Sequence, residues 1–593
     1  MKPTRLPASC LLSAAFLLVL ALLSAVPSQA KSYVFFQGTQ YPLAVYILKG
    51  LQPGPTVMVQ GGIQGDEVSG FLTAETLSRA HVRRGTLIVV PRANIPSISR
   101  RVRAVNVDLN RRFDQPYDDY YEDALARVIR LLLARSDAFI HLHEGSGFYS
   151  PTWINAERNP KRWGQSVIID AGIYQKTLHL SNMVESVLTR LNPHVRPASY
   201  RFALFNTETF APNSPYGPEM RKSLTCYALK EHRIPALAIE VSKDIRPLDW
   251  KVREQLRAAV MFLEKFGIRL DLPPLKGVSF EHFADRPPEI RINGQTFKPG
   301  ATIEAVAGEP LRVEVVRGSG DPFFHANPAL FADGRLSLDL TKTDASLFSQ
   351  VKRLDMRADG NELGSVEVRY TPARSAAGNT GQTPVFEVWH NGRLEEVASG
   401  QTMQAVEGDQ MLVAGVRPQA GNGRAEIINI KGIVTRVGEN TGQDADTDVV
   451  LDSGLFMPRY LQRGPDGLPR IQVCRETPGA RPAAFYVSLA PRRVAGIRLD
   501  GPNGQTAMLP FRPGAGCRLQ PGTWTLSEAW SNGSQDRLVA LVDGLPLAFG
   551  ESFTLGMGSS VSLEILQAAT FKPLGRMTLA PAAMASLATK AGS

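Results

Sequence analysis

Thr56-Val57-Met58-Val59-Gln60-Gly61-Gly62-Ile63-Gln64-Gly65-Asp66-Glu67 is the stretch on which the reading of this chain turns. Residues 56–60 are β-branched and apolar, as a buried strand is, and glycines follow where a chain leaving a sheet must turn sharply. Helical periodicity then runs over 67–78. The same alternation recurs downstream. Residues 86–90, 138–143 and 236–241 are compatible with buried strands, and 122–134, 175–191 and 248–266 with helices. Strand–helix alternation over residues 31–270 predicts an α/β sandwich with a mixed, mostly parallel central sheet.

Two proline pairs, Pro273-Pro274 and Pro287-Pro288, end this pattern. Beyond them the sequence has the Gly- and Pro-punctuated alternation of all-β domains, β-barrel or Ig-like. The Ala/Gly/Thr-rich stretch 371–384 is expected to be a linker, and the residues beyond Phe571 a frayed tail. The division this predicts is 285–372, 383–440 and 441–593. An internal echo supports related modules: Ile292-Asn293-Gly294 leads to Ala305-Val306-Ala307-Gly308, as His390-Asn391-Gly392 leads to Ala405-Val406-Glu407-Gly408. A fainter third copy is expected from Asp543-Gly544 to Gly558. Asn-Gly and Asp-Gly favour tight hairpins, so chance recurrence of a common turn is the competing explanation.

The N-terminus follows the grammar of a cleaved secretory signal: Lys2 and Arg5, an apolar run over 11–26, and Ser28-Gln29-Ala30 as a small-x-small cleavage site. The apolar run is about 16 residues, short of the roughly 20 that span a bilayer, so residues 1–30 are expected to be removed and no transmembrane span to remain. Export then points to the periplasm. The 593-residue chain carries a formal charge of +10, spread along its length and not gathered into a basic run. That argues against nucleic acid and is compatible with a polyanionic cell wall or a solvated surface. Cys474 and Cys517 are candidates for a disulfide in an oxidising compartment, with two free thiols as the alternative. No cysteine spacing suits zinc.

Four signals sit at predicted strand ends, where open α/β sheets place their sites. Gln64 and Glu67 are three apart in a loop entering a helix, so both can address one ion. In Asp108-Leu109-Asn110-Arg111, with Arg103 upstream, a planar guanidinium beside an amide suits capture of a carboxylate. His141 and His143 alternate onto one face of their strand, so either could be a metal ligand while the other packs. Glu240 closes an apolar strand, where a carboxylate without a partner or a task is costly.

In this order and spacing the motifs resemble the zinc carboxypeptidase superfamily, which includes carboxypeptidase A and the aspartoacylase-like deacylases. The chain departs from the usual pattern at Gln64, where most members have His. The Gln-x-x-Glu…His variant resembles the cell-shape-determining murein tripeptide D,L-carboxypeptidases, whose catalytic domain is followed by β-barrel-like and Ig-like domains. The resemblance implies a carboxypeptidase-like fold and one Zn2+ per chain, held by Gln64, Glu67 and His143. It implies Glu240 as the acid/base and Arg103 as the stabiliser of the oxyanion. Asn110 and Arg111 would hold the substrate's terminal carboxylate, with Trp163 and Thr225 lining the pocket. The implied substrate is the peptidoglycan stem tripeptide (muramyl tripeptide), cut between D-glutamate and meso-diaminopimelate. Apart from the resemblance, a cell-wall protein partner is one candidate for the β domains. Two other readings compete: an aspartoacylase-like deacylase of N-acyl amino acids, and a catalytically dead cell-wall-binding scaffold.

Overall fold

The computed structural model describes residues 29–281, 289–307, 309–316, 328–333, 335–339, 344–347, 351–371, 382–417, 426–433 and 442–582. The expected signal lies outside them except for Gln29 and Ala30, as do Pro287-Pro288 and most of the 371–384 linker. Strands β1 (Gln29–Phe35), β2 (Leu43–Lys49), β3 (Gln52–Gln60), β4 (His81–Val90), β5 (Ala138–Gly145), β6 (Ser166–Ile169), β7 (Ala203–Asn206), β8 (Ala236–Ser242) and β9 (Arg269–Asp271) form one sheet. Its order is β1-β2-β4-β3-β5-β8-β6-β7, with β9 pairing on β4. The centre β4-β3-β5-β8 is parallel, and the antiparallel pairs lie toward the edges.

Helices cover both faces: α1 (Val68–Leu77), α2 (Ile95–Arg100), α3 (Tyr121–Leu133), α4 (Leu180–Leu191) and α5 (Leu248–Lys265). Successive strand side chains point to opposite faces. Val57, Val59, Ile140, Leu142, Leu237 and Ile239 therefore pack with α1, α4 and α5 in one core. Met58, Phe139 and Ala236 pack with α3 in a second core on the other face. By the same parity Gln60, His141, His143, Ala238 and Glu240 belong to the second face, at the C-terminal ends of the parallel strands. The expected helix over 175–191 starts later, at Leu180, because residues 173–174 and 178–179 pair as a small hairpin with positive φ at Gln175 and Lys176. Among the described residues no helix is long and apolar enough to cross a membrane.

Three two-sheet β sandwiches follow, over 289–371, 385–490 and 494–581. Each places the strand after its first hairpin parallel to its last strand: Thr302–Val306 with Asn361–Thr371, Thr402–Val406 with Ala483–Ala490, and Gly516–Leu519 with Pro573–Pro581. These pairings correct two expectations. The division at 440/441 falls inside the second sandwich, whose single core runs from Phe386 to Leu489. The stretch beyond Phe571 is not frayed over its first part, since Pro573–Pro581 completes the third sandwich. The first hairpins turn at Asn293-Gly294, Asn391-Gly392 and Asn503-Gly504, with φ positive at both positions as a two-residue type I′ turn needs. The third copy of the echo is therefore Asn503-Gly504. The Asp543-Gly544 turn shares the local chemistry but closes a hairpin of the five-stranded sheet. Cys474 and Cys517 lie in different sandwiches, both as free thiols.

The modules also close the catalytic domain's core. Val450 from the second sandwich and Leu541, Leu566, Ala569 and Phe571 from the third join Phe35, Phe36 and Leu43 in the second core. Phe571 meets Phe35 edge-on, with ring centroids 5.3 Å apart.

Candidate active site

Three neighbouring strands deliver the polar groups. The turn after β3 carries Gln64 and brings Glu67 to the N-cap of α1, while β5 and β8 hold His143 and Glu240 side by side in register. Backbones approach closely here. A Cβ on Gly65 would lie 2.1 Å from the carbonyl carbon of Ser97, so only glycine fits. Beneath the strands, the Gln255 side-chain nitrogen donates to the carbonyls of His143 (2.8 Å) and Ile239 (3.0 Å), tying β5 to β8 at the site.

Gln64, Glu67, Arg103, Asn110, Arg111, His143, Trp163, Thr225 and Glu240 all line one cleft of about 910 Å³, counting the solvent at its mouth. His143 Nδ1 lies 2.7 Å from Glu67 Oε2, both groups being buried. Burial alone would lower the imidazole pKa; the Glu67 and Glu240 carboxylates outweigh it and raise it. Burial pushes the Glu240 carboxyl up to about 7, against the pull of His143 and with the help of Glu67. His141, the same-face rival, lines the cleft as well. Its ring lies 4.0 Å from that of His143, and burial, then the charge on His143, hold its pKa well below the ordinary value. Among the described residues neither of its ring nitrogens has a hydrogen-bond partner. It meets no carboxylate as His143 does.

Sequence reasoning passed over Asp108 as a site residue, although it quoted the motif containing it. The Gln64 side-chain nitrogen donates to both Asp108 oxygens at 3.1 Å, which fixes the amide so that its oxygen faces away from Asp108. Arg103 Nη1 donates to that oxygen at 3.0 Å, while Arg103 Nη2 and Nε hold Asp108 Oδ2 at 2.8 and 3.1 Å. Lys243 was also missed; it lines the cleft and pairs with Asp66 at 2.5 Å. On the far wall Asn110 Oδ1 accepts from the Leu224 backbone at 3.0 Å, so its NH2 is what it offers a ligand. Arg111 is braced by Glu219 (3.0 Å) and by the Asn110 carbonyl (2.9 Å). Trp163 packs against Phe205 and Tyr216, and Thr225 lies within hydrogen-bond distance of Ser223.

The donor set can be tested against a metal. Among the described residues no group of three His, Cys, Asp or Glu side chains could hold one. Glu67 and His143 meet, and the third donor would be the Gln64 amide. An oxygen, a carboxylate and an imidazole are within zinc's range, although an amide is a weaker donor than histidine. Glu67 and Glu240 bring two buried carboxyls to a cleft whose arginines and lysine, Arg103, Arg111 and Lys243, are already engaged by Asp108, Glu219 and Asp66. A bound cation suits that balance. A carbonyl oxygen has two lone pairs, so Arg103 does not bar Gln64 from an ion.

Comparison with known proteins places this geometry. Residues 27–273 match a family profile described as the catalytic region of carboxypeptidases controlling helical cell shape. A 99-residue segment is 34% identical to the N-alpha-acetyl-L-2,4-diaminobutyric acid deacetylase of Halomonas elongata; it covers 16% of this chain and spans 29% of that relative's length. Among solved structures, the tripeptide-bound cell shape determinant Csd4 of Helicobacter pylori aligns at 20% identity and a TM-score of 0.41, over 74% of this chain and 96% of that one. A succinylglutamate desuccinylase/aspartoacylase from Rhodobacter sphaeroides aligns at 18% identity and 0.29, over 48% and 82%. Residues 27–273, less than half of this chain, thus resemble the catalytic region of the carboxypeptidases that control helical cell shape.

Proposed function

We propose that this chain is an exported, periplasmic zinc D,L-carboxypeptidase that removes meso-diaminopimelate from peptidoglycan stem tripeptides by hydrolysing the D-glutamyl–diaminopimelate bond. One observation carries the reading: a buried carboxyl near neutrality, Glu240, shares a cleft with the Glu67–His143 pair and with the carboxylate-binding wall of Asn110 and Arg111. An acid whose pKa lies near the working pH can take a proton and return it. Asn110 and Arg111 offer an amide NH2 and a braced guanidinium to a terminal carboxylate, which restricts cleavage to the last residue. Gln64, Glu67 and His143 would hold the zinc, which when bound supplies Lewis acidity and activates water. Arg103 supplies positive charge where negative charge develops on the scissile carbonyl. A family described by control of cell shape supports a cell-wall substrate.

The test is release of diaminopimelate from muramyl tripeptide by zinc-saturated protein. The wild type should release it, and Glu240→Gln should lose at least about a hundredfold in kcat, the lower range for a positioned acid/base. A wild type that releases none overturns the substrate; undiminished release by the variant overturns the role of Glu240. The short match to the deacetylase favours a second reading, hydrolysis of a small N-acyl amino acid. A panel of acyl amino acids assayed in parallel separates the two.

A further inference from the structure

Among the described residues, the first β sandwich contributes none to the lining of the cleft. Its hairpin Asp359-Gly360-Asn361 nonetheless presses on the segment that leads into the site. A Cβ on Gly360 (φ +79°) would lie 2.8 Å from the Ile98 carbonyl oxygen and 2.8 Å from Arg101 Cβ. Only a glycine lets the hairpin come so near the end of α2. Arg101 caps that helix in the left-handed conformation (φ 53°, ψ 46°), which an arginine seldom adopts unless held there. It is held from outside the catalytic domain: its Nη2 donates to the Asp359 carbonyl at 2.5 Å and to Asn361 Oδ1 at 2.8 Å. The Asp359 side chain, fully buried, anchors the hairpin to Arg92 at 2.5 Å.

The next residue passes the constraint on. The Val102 carbonyl accepts from the Gly65 backbone at 2.9 Å and from Ser97 Oγ at 2.5 Å, and Ser97 Oγ accepts in turn from Gly65 at 3.0 Å. Gly65 follows Gln64, and Arg103 follows Val102. The contact between the hairpin and Arg101 is thus two residues from Arg103 along the chain. From Val102, which lies between them, a single backbone hydrogen bond leads to Gly65, the neighbour of Gln64. We infer that the Asp359–Asn361 hairpin of the first β sandwich is a positioning element of the active site, setting Gln64 and Arg103 through Arg101 and Val102. Asn361 and Arg101 are its positioning residues. This gives the first sandwich a task inside the enzyme.

The inference rests on the proposed role of Gln64 as a zinc donor, and the test separates the two. In the full-length protein, zinc affinity is measured by chelator competition, and kcat and KM on muramyl tripeptide, for Asn361→Ala, Asn361→Asp, Arg101→Ala and Asn293→Ala. The last alters a hairpin of the same sandwich whose turn glycine, Gly294, has open space around it. Asn361→Ala and Arg101→Ala should each weaken zinc about tenfold and lower kcat comparably, with KM changed by less than about twofold. Asn361→Asp keeps an acceptor for Arg101 and should restore both; Asn293→Ala should change neither. If Asn361→Ala and Arg101→Ala keep wild-type zinc affinity and kcat, the inference is overturned. If the wild type binds zinc but leaves muramyl tripeptide intact, the substrate reading falls while the zinc series still decides the hairpin. A wild type that binds no zinc overturns both.

Discussion

Asp108 does with one carboxylate what the site needs done twice: it turns the Gln64 amide and it restrains the Arg103 guanidinium. An amide has two chemically different ends, so an orienting partner matters more for glutamine than for a carboxylate ligand. Replacing Asp108 by Asn removes the charge that holds both groups. We expect zinc affinity to drop roughly 10- to 100-fold, the usual cost of losing an outer partner of a metal ligand; a chelator titration that superimposes on wild type would sink this. Most of the residues that line the cleft were legible in the sequence, because they belong to short motifs at strand ends. The nine inferred there come together in one cleft. Asp108 and Lys243 were not read as site residues, because each acts on a side chain far away in sequence, and no local spacing records such a contact. Alternation along the strand did not separate His141 from His143; the family resemblance selected His143, which is the one that meets a carboxylate.

At the scale of elements, the parallel strands β3, β4, β5 and β8 were legible because continuous apolar runs are what a doubly covered sheet requires. Strands β1 and β2, at one end of the sheet, were not, since they mix exposed and buried positions. The repeat was half legible: Asx-Gly turns mark hairpins but not which sheet a hairpin belongs to, so Asp543-Gly544 stood in for Asn503-Gly504. Within the second sandwich, His390 at the end of strand Val385–His390 has a carboxylate on each ring nitrogen, Asp409 at 3.1 Å and Glu395 at 3.0 Å. The hydrogen bond to Asp409, opposed by burial and helped by Glu395, raises the His390 pKa above its ordinary value of 6.5. Folding therefore favours the protonated imidazole. Its contribution to stability is fully present below about pH 6.5 and is lost as pH rises through the raised value. Thermal unfolding of the full-length protein followed from pH 6 to pH 9 should show this sandwich losing stability, and His390→Gln should flatten the slope. Equal slopes in the two proteins would refute the assignment.

At the scale of the molecule, the catalytic domain is not closed by its own residues. Its second core is finished by Val450 from the second sandwich and by Leu541, Leu566, Ala569 and Phe571 from the third. Phe571→Ala should cost about 3–5 kcal/mol, the range for emptying a buried aromatic site. The loss should appear in the unfolding of the catalytic domain, read out by zinc release on heating, and not only in the third sandwich; zinc release at the wild-type temperature would show the cores to be independent. The sequence gives no hint of this sharing, because apolar residues of a β module have the same pattern whether they pack inward or against a neighbour. The shared core also bears on the order of events during synthesis. A ribosome makes the peptidase domain before the third sandwich, so the core of the hydrolase remains unsealed until that sandwich has emerged. An interrupted or clipped chain carries every site residue yet leaves Phe35 and Phe36 uncovered. Completion of the C-terminal sandwich thus decides when the peptidase core is covered.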